Sequence, residues 1–90
     1  MEEIRDEATM AEFYDLVDKF INLANELTGK YNTTRISSVL SFAAARYSVF
    51  NFYATDGSIE TERVGVEYYL EQYQLMLEDN FERTRNLYKE

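Results

Sequence analysis

The sequence of 90 residues contains no cysteine, histidine, proline or tryptophan, and only three glycines. Without cysteine and histidine, disulfides and ordinary zinc or haem sites are excluded. The same absences remove the usual nucleophile and base pairs of catalysis. The chain also lacks the Glu-x-x-His motif of di-iron bundles and any Gly-rich phosphate loop. We therefore predict no catalytic residue, no cofactor, no metal site and no enzymatic activity.

Positive charge is scarce, because 17 acidic residues stand against 9 basic residues and the formal net charge is −8. Such a surface repels phosphates, which disfavours binding to nucleic acid or anionic lipid. The sequence has no uncharged apolar stretch of about 20 residues, so no membrane span is predicted. The acidic N-terminal segment has no apolar signal region. The expected location is therefore the cytoplasm.

Aromatic residues are abundant, with 8 Tyr and 6 Phe, and hydrophobic residues make up 46% of the chain. This composition is typical of a folded domain. A chain of this length buries only roughly 60% of its unfolded surface, so a lone core is marginal. With disulfides and metals excluded, oligomerisation is the remaining way to stabilise a small scaffold.

The first helix is predicted over residues 9–29, after a flexible acidic N-terminus at residues 1–8. Thr9 and Glu12 form a capping-box pattern. Apolar residues then recur at spacings of three and four, which is typical of one helix face. Gly29 is expected to end the helix in a left-handed conformation.

The second and third helices are predicted over residues 34–54 and 58–88. Thr33 or Thr34 is expected to cap the second helix, and Ser58 the third, after a turn at Asp56 and Gly57. The second helix is apolar on several sides, which is typical of a helix with more than one neighbour. Gly65 predicts a close contact or a slight bend inside the third helix.

The predicted fold is all-α, an antiparallel three-helix bundle with a long third helix, formed as a single domain over residues 9–90. The third helix would span roughly 45 Å and overhang the other two. Apolar side chains on its last turns need a cover, which the N-terminal segment or a second subunit could provide. The residues of this candidate interface are Phe81, Leu87 and Tyr88.

Arg46 is the only charge between residues 36 and 55. Reflection through the two predicted turns places Glu67 and Asp18 at its height. A cation in a packed layer needs a carboxylate or carbonyl partner. We therefore expect a structural ion pair between Arg46 and either Glu67 or Asp18.

A second interpretation of Arg46 is functional, with the guanidinium binding an anion in an interhelical pocket. Three tyrosines would line this candidate pocket beside Arg46, namely Tyr68, Tyr69 and Tyr73. The simpler interpretation of these tyrosines is that they lie at the edge of the core with their hydroxyls in water.

Carboxylates at helical spacing are interpreted as a solvated face rather than a cation site. These are Asp15 and Asp18, Glu67 and Glu71, and Glu78, Asp79 and Glu82. Arg83, Arg85 and Lys89 form a small basic end interspersed with acids, which is a weak nucleic-acid signal.

Five segments resemble an uncharacterised family of small bacterial proteins, the domain of unknown function 3144. The resemblance covers roughly residues 12–82, but Ser48 stands where members of the family usually have Asn. It implies a helical fold and an unknown function, and it transfers no catalytic residue. Some members carry a label as regulators of curlin-gene transcription. The matching segments are 12–15, 20–26, 42–47, 69–73 and 76–80.

Two functional hypotheses follow, and a third is weaker. The leading one is a non-enzymatic protein-interaction or regulatory module, as a homo-oligomer or with an unidentified protein partner. The alternative is a helical bundle that binds a small ligand or anion at Arg46. The weakest is a regulator that contacts DNA through its basic end, which would bind duplex DNA with strong salt dependence.

Overall fold

The computed structural model describes residues 7–88, with side chains from residue 8 onward. Helix α1 spans Glu7–Leu27, α2 spans Thr33–Thr55 and α3 spans Glu62–Thr84. Short 3₁₀ segments, Ile59–Thr61 and Arg85–Leu87, precede and follow α3. The predicted all-α fold with three helices is confirmed. Residues 1–6, most of the predicted flexible terminus, lie outside the described residues.

The predicted caps of the first helix differ from the structure. Thr9 lies inside α1, which is helical from the first described residue, Glu7. At the other end, the Thr28 N–H donates to the Asn25 carbonyl at 3.2 Å and the Lys30 N–H to the Leu27 carbonyl at 3.0 Å. These bonds satisfy the terminal carbonyls without a left-handed residue. Accordingly, Gly29 does not adopt positive φ.

The N-terminal cap of α2 is Asn32 rather than Thr33 or Thr34. Its Oδ1 accepts the Arg35 N–H at 2.8 Å, which satisfies one of the free donors of the first turn. The Asn32 carbonyl also accepts the Ile36 N–H at 3.1 Å. Asn and Thr are both good caps, so the sequence pattern did not separate them.

The predicted turn after α2 is confirmed. The Gly57 N–H donates to the Phe52 carbonyl at 2.8 Å and closes the helix end. Ser58 then caps the 3₁₀ segment, and its N–H donates to the Thr61 hydroxyl at 3.0 Å. The predicted third helix is thus realised as a 3₁₀ turn, an α-helix of 23 residues and a second 3₁₀ turn.

The chain divides inside α2 into two units, Met1–Ala44 and Ala45–Glu90. In the first unit, Ile36 is the buried hydrophobic side chain of the described residues, with 9% of its surface exposed. The prediction of a single domain over residues 9–90 stays a prediction.

In the second unit, the ring of Phe52 lies against two glycines. A methyl group at Gly65 would lie 2.8 Å from this ring, and one at Gly57 would overlap it. Real Cβ atoms do not approach that closely. The close contact predicted at Gly65 is therefore confirmed, and its partner is Phe52.

Most apolar side chains of α2 are exposed in the single chain, although the sequence predicted a helix packed on several sides. Val39, Phe42 and Phe50 are examples. An apolar pattern shows that a face favours being covered, but it does not specify whether the same chain covers it.

Replacing Gly65 with Ala tests the contact with Phe52. We expect Gly65→Ala to lower the free energy of unfolding by about 1 kcal/mol, because overpacking outweighs the better helix propensity of Ala. Gly29→Ala is the matched control, since a methyl group there meets nothing within 4 Å. It should leave stability unchanged or raise it by about 0.4–1 kcal/mol. Urea unfolding followed by circular dichroism at equal protein concentrations measures both, and equal effects would contradict the contact.

Candidate functional site

Arg46 lies on α2, and its side chain is exposed. Phe42 and Phe50 lie one turn to either side on the same face, and they are exposed as well. Glu67 belongs to the same unit as Arg46, on α3, whereas Asp18 belongs to α1 in the other unit. The ion pair with Glu67 or Asp18 stays a prediction.

The three tyrosines of the predicted pocket differ in their surroundings. Tyr69 is half-buried, and its hydroxyl accepts a hydrogen bond from Asn51 Nδ2 of α2 at 3.3 Å. Tyr68 packs edge-on against the ring of Tyr69, with centroids 5.1 Å apart. Both Tyr68 and Tyr73 are exposed. Tyr69 therefore joins α3 to α2, and the ligand pocket beside Arg46 stays a prediction.

An open apolar groove of about 280 Å³ lies in the first unit, where the sequence indicated no site. The guanidinium of Arg35 stands over the ring of Tyr31, 5.7 Å from its centroid. These two residues are four positions apart in the sequence, the spacing of one helical turn. This spacing is the sequence signal that could have predicted their contact. The groove is lined by Leu27, Tyr31, Arg35, Ile36 and Val39.

Polar side chains of α3 pair along the helix. Arg83 Nε donates to Asp79 Oδ2 at 2.8 Å, and Gln74 Nε2 donates to Glu78 Oε2 at 2.9 Å. Within residues 7–88, no three acidic side chains are placed to hold a metal ion. Of the predicted basic end, Arg83 is thus engaged with a carboxylate, and Lys89 lies outside the described residues.

The predicted interface residues are among the most exposed apolar side chains described. Phe81, Leu87 and Tyr88 are 67%, 77% and 81% exposed. Phe81 is also the last member of a row of exposed apolar residues along α3, which we call the α3 stripe. The α3 stripe consists of Val66, Leu70, Tyr73, Leu77 and Phe81.

The side of α3 toward α2 is different from the α3 stripe. Gly65, Tyr69 and Gln72 are its buried or half-buried residues, at spacings of four and three. Gly65 contacts Phe52 and Tyr69 contacts Asn51. At about 100° per residue, the α3 stripe is centred roughly a third of a turn away from this side. The α3 stripe is therefore separate from the side of α3 that contacts α2.

A family model described as "protein of unknown function (DUF3144)" matches residues 13–84. The chain belongs to this family. The match spans α2 and α3, together with α1 from Phe13 onward, so the α3 stripe lies within the family domain. No curated protein and no solved structure matches the chain.

Across the described residues, every helix falls short of the length and apolarity needed to cross a bilayer. The absence of a membrane span predicted from the sequence agrees with this finding.

A double-mutant cycle tests the ion pair predicted for Arg46. We expect Arg46→Met and Glu67→Gln to show a coupling energy of about 0.2–1 kcal/mol, the range of exposed ion pairs. Arg46→Met with Asp18→Asn is the parallel cycle for the second predicted partner. Urea unfolding at low and high salt measures both, and coupling near zero in each cycle would contradict the prediction.

Proposed function

We propose that this protein is a non-enzymatic interaction or regulatory module that acts by contact with another protein chain. The observation that carries the proposal is the exposure of large apolar side chains along α3 and just beyond it, at Phe81, Leu87 and Tyr88. Contiguous apolar surface of this kind marks protein contact sites. The partner is a second copy or a different protein.

The energetics favour a partner for these surfaces. Burying a Phe or Leu side chain contributes about 1.5–3 kcal/mol relative to leaving it in water. Aromatic side chains also dominate the energy of protein interfaces. Phe81 is two-thirds exposed, so the single chain forgoes most of this stabilisation at that residue.

The chemistry of the chain supports contact rather than catalysis. It has neither histidine nor cysteine. On α3, Asp79 accepts from Arg83 and Glu78 from Gln74, so these carboxylates serve as solvated helix-surface groups. A cysteine-free acidic chain also suits the cytoplasm, where we place the protein as part of the proposal.

Anion binding at Arg46 is the alternative function. An exposed guanidinium binds an anion in competition with water and salt, which limits the affinity it supplies. Water and salt do not compete in this way with the burial of an apolar surface against a partner chain. The contact function is therefore the better supported of the two.

Replacement of Phe81 tests the contact function. Phe81→Glu should abolish association with the partner chain, because a carboxylate in an apolar contact is strongly disfavoured. Phe81→Leu is the control, since it keeps an apolar side chain and should retain association. Affinity capture from the source cells, with light scattering of the purified protein, measures both.

Two outcomes are decisive for this experiment. Loss of the captured or self-associated chain in Phe81→Glu alone supports the function. Identical partners and mass for wild type and Phe81→Glu would contradict a role for this end of α3.

A further inference from the structure

We draw no further inference here: the strongest candidate, the open apolar groove where α1 ends and α2 begins, is lined by four apolar or aromatic side chains and Arg35, and nothing in the structure shows what covers it.

Discussion

The ring of Phe52 between Gly57 and Gly65 is the contact on which the second unit depends. Both glycines leave room that any side chain would fill, so the ring can touch the turn and α3 at once. The same contact determines which side of α3 faces α2, since Tyr69 lies one turn beyond Gly65 and bonds to Asn51. The α3 stripe lies on a different side of α3 from these contacts with α2.

The chain has few other means of stabilising itself. It has no disulfide, and its ion pair between Asp79 and Arg83 lies on an exposed helix surface, where such pairs contribute about 0.3–0.5 kcal/mol. Stability must therefore come from apolar burial. Ile36 is the buried hydrophobic side chain among the described residues.

The sequence predicted the three helices well, because each follows a clear periodicity and the turn at Asp56 and Gly57 is unambiguous. It also predicted a close contact or a slight bend at Gly65, and the structure shows the close contact. It placed the caps less well, since Asn32 and its neighbouring threonines are all suitable. Arg46 was predicted inside a packed layer because its surroundings are apolar. Periodicity identifies an apolar helix face that is stabilised by burial. Only the tertiary packing identifies the residues that bury it.

The contact function proposed for this chain would couple its folding to assembly. A partner that binds the folded helices and not the unfolded chain adds its binding free energy to the free energy of unfolding. If the α3 stripe is covered by a partner chain, unfolding becomes dependent on the concentration of that chain, and substitutions at Leu70 and Leu77 weaken assembly and stability together. Gly65 acts at a different level, because it affects stability through Phe52 within one chain. Stability measured over a range of concentrations therefore separates contacts within a chain from contacts between chains.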